Sequence, residues 1–582
     1  MAASETRQTA ERTAPRRATR TGAQVLVDQL RLHRADTAYC VPGESYLAVL
    51  DALYDVREEI RLVVCRQEGG AAYMADAYGK LTGRPGICFV TRGPGATNAS
   101  VGVHTAFQDS TPMILFIGQV ERAFLERGAF QELDFGRMYG QMAKWVAQID
   151  DARRIPEFLA RAFTLATSGR PGPVVLALPE DMLRDEVIVD DAEPYTPVQA
   201  YPGRAEMARL REMLRGAQRP LMVLGGSTWT AAGVADIMAF AEANRLATAV
   251  AFRRQDRFDN LHPCYAGDLG IGPNSRLAAR AAEADLVIAV GTRLSEATTG
   301  GYTLFDVPRP RQKLVHVYPA AEELGRVYQA ELAINAGGSQ FAEAAKGLVP
   351  VDSAGWAAAT EAAHREYLEY NAPVPNPGAV QMAEIVATLR EQLPPDTIVA
   401  NGAGNYSGWI HRFWRYRRFS TQLAPTSGSM GYGVPAGVAA AIAHPDRTVL
   451  SFSGDGCFLM NGQEIATAAQ HGAAPIFFVV NNGMYGTIRM HQEREYPARV
   501  WGTELANPDF AALARAYGLH GETIEHTADF APAFERALSA RRAALIELRL
   551  DPEAISPRTT LSKIRQAALA ARAKTAASRE TK

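Results

Sequence analysis

Two short stretches of this 582-residue sequence carry residue types able to hold a cation and a phosphate group. The apolar run "TVLSFS" ends in Gly454-Asp455-Gly456, and 24 residues after that triplet a second run, "PIFFVV", ends in Asn481-Asn482-Gly483. Each reads as a strand followed by a turn, and in a parallel α/β sheet ligands bind beyond the carboxyl ends of the strands. If the two strands are neighbours, the Asp455 carboxylate and the Asn482 carboxamide converge. Oxygen donors of this kind suit Mg²⁺ or Ca²⁺ rather than Zn²⁺. Mg²⁺ commonly takes one or two carboxylates and fills its octahedron with water and substrate phosphates. A helix starting after Gly456 offers free N–H groups to an anion, and the glycines let a phosphate approach the backbone. Either motif alone is compatible with an ordinary turn. The pair at this spacing, each after an apolar strand, indicates a metal-bridged diphosphate site.

The elements needed to position these residues recur along the chain. Strand-length apolar segments alternate with helical ones, the pattern of parallel α/β layers. Three blocks separate. The first, 22–190, ends after "GRPGPVVLALPEDM"; the second, 200–350, contains "PLMVLGGS", "ADLVIAVGTRLSE" and "KLVHVYP"; the third, 376–555, carries both motifs. The first and third follow one plan. "GICFVTRGPGATN" and then "PMILFIGQ" in the first correspond to "TVLSFSGDGCFLMN" and then "PIFFVVNN" in the third. Gly93 and Gln119 stand 26 residues apart, and Gly454 and Asn481 stand 27 apart. Two similar domains flanking a different middle one are expected. The ends, 1–21 and 556–582, read as tails, the first disordered and the second a loosely held helical end.

Composition narrows the function classes. A formal net charge of −2 gives no electrostatic footprint for nucleic acid. No apolar run approaches the ~20 residues a membrane helix needs. Five scattered cysteines without a CxxC spacing suit a reducing compartment, and the expected location is cytoplasmic. The N-terminal residues lack an apolar segment of the secretory type, and Glu5 and Glu11 disfavour an organelle transit peptide. No GxGxxG follows a strand with an acid ~20 residues on, which disfavours a nicotinamide oxidoreductase.

One more acid stands out. In "IRLVVCRQEGG" the strand leads to Glu68 at the start of a helix. Taken alone, such an acid complements the helix dipole. Together, however, these motifs resemble those of the thiamine diphosphate enzymes, over about 22–550. GDG, 24 residues, then NN is that family's diphosphate motif, Arg66-Gln67-Glu68 matches its Arg-x-Glu, and "GPGATN" (Gly93 to Asn98) stands where it is expected. The resemblance implies an α/β fold of three parallel-sheet domains, two similar cofactor-binding domains flanking a Rossmann-like middle one. It implies Asp455, Asn482 and the backbone carbonyl of Met484 as protein ligands of Mg²⁺. Gly43, Gly93, Pro94, Asn98, Gly454 and Gly456 would surround the cofactor, and Glu68 would be the catalytic carboxyl at its pyrimidine nitrogen. Met430, in "TSGSMGYGVPAG", would be the apolar wedge beneath it, although Met is also a common core filler. The family holds the two ends of the cofactor on different subunits, so a homodimer or homotetramer is implied.

Within that family, "DSTPMILFIGQV", "AFQELD", "SMGYGVPAG" and "NPDFAALARAYG" resemble the large catalytic subunit of acetolactate synthases. This implies decarboxylation of a 2-oxo acid such as pyruvate and transfer of the remaining unit to a second 2-oxo acid. The product would be an acetohydroxy acid of branched-chain amino-acid (valine and isoleucine) biosynthesis, with a regulatory subunit left open. Gln119, Phe130, Gln131 and Lys144 fall at its substrate-pocket positions, and each is equally plausible as rim or core. The chain departs from the pattern in three places. Glu44 replaces the second glycine of the first loop, His491 replaces a pocket Trp, and "NGAGNYS" (Asn401 to Ser407) replaces "VGQHQ". In the middle domain "VLGGS" and "GTRLSEATTGG" resemble parts of an FAD site, but His316-Val317-Tyr318-Pro319-Ala320 lacks both acids of the flavin-contacting "HIDID". FAD, an ADP-type ligand and an empty domain remain alternatives. So do other activities of the family, namely a 2-oxo acid decarboxylase, an aldehyde lyase or a sulfoacetaldehyde-type acetyltransferase, and a non-catalytic scaffold.

Overall fold

The computed structural model describes residues 18–580. Of the expected disordered tail, residues 1–17 lie outside the described residues. Its last two residues are structured: Arg20–Thr21 pairs antiparallel with Glu186–Val187, and Thr21 caps the helix Gly22–Leu32. Arg20 is buried between Asp28 and Asp191, which fixes this end of the chain.

Each of the three blocks builds one six-stranded, wholly parallel sheet. The first contains β1 (Thr37–Cys40), β2 (Arg61–Val64), β3 (Gly86–Val90), β4 (Met113–Gln119), β5 (Trp145–Gln148) and β6 (Pro173–Pro179), in the order 2-1-3-4-6-5. The middle contains β7 (Pro220–Leu224), β8 (Thr248–Ala251), β9 (Tyr265–Leu269), β10 (Leu286–Val290), β11 (Lys313–Tyr318) and β12 (Leu332–Asn335), in the order 9-8-7-10-11-12. The third contains β13 (Ile398–Asn401), β14 (Gln422–Leu423), β15 (Val449–Gly454), β16 (Ile476–Asn481), β17 (His520–Ile524) and β18 (Ala544–Arg549), in the order 14-13-15-16-18-17. Counted within each domain, the first and third sheets have the same order, so the expected repeat is real. The middle sheet, counted the same way, runs 3-2-1-4-5-6, the dinucleotide-fold order. The central strands are apolar on both faces because helices cover both sides.

The outer domains share one apolar core. Helix Glu68–Thr82 of the first packs on helix Gly433–Ala443 of the third, and both are built largely of Ala and Gly at the contact. Small side chains also let helix Glu68–Thr82 approach its first-domain neighbour Gly93–Asp109: a Cβ on Gly102 would lie 2.3 Å from that of Ala72. Within this interface Lys80 is held by Asp76 (2.7 Å) and Asp109, and the Tyr432 hydroxyl donates to Asp76 (2.8 Å). The middle domain docks through Arg253, whose guanidinium donates to the carbonyls of Pro425 and Gly402. The segment 556–582, expected to be a loosely held end, contains the helix Leu561–Glu580. Arg565 ties it to the buried Glu493 (2.6 Å) on helix Gly486–Glu495. Among the described residues no helix is long and apolar enough to cross a membrane, and the five cysteines are free and buried.

Candidate active site

β15 and β16 are hydrogen-bonded neighbours, with Gly454 opposite Val480. The sequence motifs at their carboxyl ends therefore meet. Asp455 opens the helix Asp455–Asn461, and the chain turns at Gly483 with φ +70°, a conformation glycine adopts without strain. The Gly483 N–H donates to Asp455 Oδ2 (2.9 Å) and to Asn481 Oδ1 (3.1 Å). Burial pushes the Asp455 carboxyl up, and donors from the Gly456 amide, the Asn507 side chain and the Gly483 and Met484 amides pull it back.

The two asparagines of the motif have different places. Asn482 lines a cavity of about 240 Å³ together with Met430, Gly454, Asp455, Gly456 and Met484. Asn481 is a strut behind it. Its Nδ2 donates to Glu547 Oε1 (2.6 Å), a buried carboxylate that also accepts from Thr523 (2.9 Å). A residue that sequence reasoning missed completes the strut: Asn507 Nδ2 donates to both Asp455 Oδ2 (2.8 Å) and Asn481 Oδ1 (2.9 Å). The Asn507 Oδ1 is buried with no hydrogen-bond partner among the described residues. One carboxylate, two carboxamides and the backbone at Met484 form an oxygen-rich donor set that fits a divalent cation bearing a diphosphate. No local signal in "ELANPDF" marks Asn507, because its partners are 52 and 26 residues away.

Much of the remaining wall is apolar, with Trp409, Leu550 and Ile555 in it, while Asn405 and Thr487 add polar groups. Met430 is held from the first domain: Tyr73 donates to its carbonyl (3.3 Å), and Thr105 bonds the neighbouring Ser429 (3.0 Å). The replaced segment "NGAGNYS" supplies Asn405. Asn405 N–H donates to Thr487 Oγ1 (3.1 Å), and that hydroxyl donates back to Asn405 Oδ1 (3.0 Å). His491, one turn beyond Thr487, does not line the cavity; its Nδ1 accepts from Arg494 (2.6 Å).

A second group of predicted residues gathers at the carboxyl edge of the first sheet. Glu68 begins the helix after β2, and Asn98 Nδ2 donates to its Oε2 (2.9 Å). Gly93 and Pro94 open the helix after β3, and the Gly93 N–H donates to the carbonyl of Gln131 (2.9 Å). Phe130, beside it, is 73% exposed. Gly43 follows β1 and packs on Thr91, where a Cβ would sit 2.5 Å away. Glu44 pairs with Arg92 (3.0 Å), whose other partner is Glu180 (2.6 Å). Gln119, at the end of β4, is buried and donates to the Leu133 carbonyl (3.0 Å). Lys144 departs from this group. It precedes β5 and so lies at the amino edge of the parallel sheet, where its ammonium donates to the carbonyls of Leu165 and Ser168. Burial lowers its pKa to about 8. None of these first-domain residues lines the cavity of the third domain.

The crevice at the carboxyl edge of the middle sheet is crossed by protein contacts. A Cβ on Gly226 would lie 2.0 Å from the Gly291 carbonyl, so the two glycine loops close on each other. The first domain fills the space beside them. Ser227 donates to the Ser110 carbonyl (2.5 Å), Arg293 to that of Gln108 (2.7 Å), and Arg170 pairs with Glu323 (2.9 Å). His316 is buried against the Thr292 carbonyl (2.9 Å).

Three domain families match the chain. The thiamine pyrophosphate enzyme N-terminal TPP binding domain matches 20–138, its central domain 207–345, and its C-terminal TPP binding domain 402–548. Among curated relatives, an acetolactate synthase large subunit of Parasynechococcus marenigrum is 32% identical, over 86% of this chain and 83% of its own length. The acetolactate synthase isozyme 2 large subunit of Escherichia coli is 31% identical, over 91% and 95%. The mitochondrial acetolactate synthase catalytic subunit of Saccharomyces cerevisiae is 28% identical, over 91% and 81%.

Proposed function

We propose, of a chain that belongs to the thiamine pyrophosphate enzymes of the acetolactate synthase type, that it decarboxylates pyruvate and joins the remaining two-carbon unit to a second 2-oxo acid. The observation that carries this reading is the meeting of Asp455, Asn482 and Met484 in one cavity that Met430 also lines. When bound, thiamine diphosphate supplies a carbanion-stabilising centre at which a 2-oxo acid loses CO₂. The chain's own part is positioning. Asp455, Asn482 and the Met484 carbonyl would hold Mg²⁺ and through it the diphosphate, with Gly454 and Gly456 giving the phosphates access to the backbone. Met430 would support the cofactor, and Glu68, oriented by Asn98, would hold a proton at the pyrimidine nitrogen. The apolar wall of Trp409, Leu550 and Ile555 keeps water from the reacting carbon.

Glu68 does not line this cavity in its own chain. A homodimer, in which the first domain of a partner covers the third, brings the two halves together. The exposed Phe130, Leu459, Met460 and Trp501 supply apolar surface for that contact. The middle domain enters as a structural spacer without flavin, because its crevice is crossed by Ser227, Arg293 and Arg170 and the two acids of the flavin stretch are absent.

A second reading, a decarboxylase or acyltransferase of the same family, is favoured by the Asn405–Thr487 pair, which places polar groups in the cavity wall where the replaced segment stands. The test is incubation with pyruvate, with and without thiamine diphosphate and Mg²⁺, scoring CO₂, acetolactate and acetaldehyde. Acetolactate that requires both cofactors supports the carboligase. Acetaldehyde in its place supports the decarboxylase, and no turnover with tight cofactor binding rejects pyruvate as donor. A flavin absorbance band in the purified protein, or saturable FAD binding, would reject the flavin-free middle domain.

A further inference from the structure

A carboxylate of the third domain reaches into the first, immediately ahead of Glu68. Glu464 is fully buried, and its Oε1 accepts from the backbone N–H groups of Arg66 (3.1 Å) and Gln67 (3.0 Å). Its Oε2 accepts from Arg66 N–H (3.2 Å) and from the Thr467 hydroxyl (2.6 Å). Arg66 and Gln67 are the two residues between β2 with its Cys65 extension and the helix that Glu68 begins. Backbone N–H groups at such a turn have no partners within the strand or the helix, and a carboxylate satisfies them with charge-assisted bonds.

Neighbouring contacts carry the same connection along β2. This is an edge strand, with free donors on its outer side. His471 Nε2 accepts from Val64 N–H (3.1 Å), Arg61 donates to the His471 carbonyl (2.7 Å), and Arg66 donates to Gln470 (2.6 Å). The residues 464–471 thus lie along the strand and turn that present Glu68. The sequence around Glu68 is shaped to admit them. A Cβ on Gly70 would sit 2.5 Å from Glu464 Oε1, closer than carbon and oxygen approach without a bond. Glycine in a helical first turn costs about 1 kcal/mol relative to alanine, and the approach of Glu464 explains why it is there.

We propose that Glu464 is a positioning residue for Glu68: it fixes the turn at Arg66-Gln67, and through it the direction in which the Glu68 carboxyl points. This rests on the assignment of Glu68 made above. Glu464→Gln keeps the size of the side chain but replaces one acceptor oxygen with an N–H donor, which faces the Arg66 and Thr467 donors. Gly70→Ala acts from the opposite side, by displacing the carboxylate.

Two measurements test this, on Glu464→Gln, Gly70→Ala, Glu68→Gln and the double variant Glu464→Gln/Glu68→Gln. The first is amide hydrogen exchange of residues 62–70 in cofactor-free full-length protein. Exchange at least tenfold faster in Glu464→Gln is expected, with the third-domain strands unchanged. Unchanged exchange overturns the proposal. The second is the exchange rate in D₂O of the C2 proton of bound thiamine diphosphate, which needs no knowledge of the donor substrate. Glu464→Gln is expected to slow it at least tenfold, yet to cost nothing further in the Glu68→Gln background. Losses that multiply would mean that Glu464 acts by another route, and would overturn it. If Glu68→Gln alone leaves the C2 rate intact, the assignment of Glu68 fails, and the amide exchange still decides whether Glu464 holds the turn. Should Glu464→Gln not fold, Gly70→Ala is required to show both signatures, and their absence overturns the proposal.

Discussion

The two outer domains have the same strand order and nearly the same step between their two turn motifs, and they use those positions differently. After the third strand, one has Gly93-Pro94-Gly95 and the other Gly454-Asp455-Gly456. After the fourth, one has Gln119 and Val120, the other Asn481 and Asn482. Proline and valine offer no side-chain oxygen, so of these paired positions only those of the third domain bring together side-chain oxygens of the kind a divalent cation takes. After the second strand the contrast reverses. The first domain places a carboxylate there, Glu68, and the third places the loop of Met430. The shared fold therefore sets where groups gather, at the carboxyl ends of four adjacent strands, and leaves open which groups they are.

The sharpest test of that contrast removes each domain's acid in turn. Asp455→Ala is expected to abolish Mg²⁺-dependent binding of thiamine diphosphate, read by titration calorimetry. Glu68→Gln is expected to leave that affinity within about threefold while lowering turnover by about 10²- to 10⁴-fold, the range for a positioned proton-transfer group. A Glu68 variant that loses cofactor affinity as Asp455→Ala does would break the division of labour. Asn507→Ala should have a smaller effect, roughly 10- to 100-fold in Mg²⁺ affinity, because Asn507 orients the proposed ligand Asp455. Its measurement is a Mg²⁺ titration at fixed cofactor.

The smallest effect concerns the helix Leu561–Glu580, for which the first domain has no counterpart. Arg565, against the opposing effect of burial and helped by the Ala498 amide and Arg489, holds the Glu493 carboxyl at about 2, below its ordinary 4.5. A carboxyl lowered on folding stabilises the fold above the unfolded value and loses that contribution as the pH falls through the folded one. Wild type should therefore melt above Glu493→Gln at pH 7, and the gap should shrink between about pH 4.5 and 2. The interaction is worth up to about 3 kcal/mol at ~1.36 kcal/mol per unit. A gap that is undiminished at pH 2.5 contradicts the assignment.

Much of this was legible in the chain. The repeat, the three sheets and the convergence of Asp455 with Asn482 follow from apolar runs and the turns that end them. The roles of four residues were not. Asn507 and Glu464 act on backbone or side chains far away in sequence, and only the tertiary approach gives them a role. Lys144 illustrates a different difficulty. A basic residue next to a strand looks the same at either end until the strand's limits are known, and β5 begins after it. Gly70 was visible as a glycine, but its reason lay in the approach of a carboxylate from another domain.

One face of the Ala- and Gly-rich helix Glu68–Thr82 packs on helix Gly93–Asp109 of its own domain, and another is covered by helix Gly433–Ala443 of the third. During synthesis roughly 350 residues separate the first and last of these helices, which at about 5–20 residues per second is a wait of ~20–70 s. For that interval the newly made first domain carries an uncovered face. Small side chains there give neighbouring chains little apolar surface to adhere to. The composition that permits close packing in the finished protein also protects the ribosome-bound chain before its other half exists.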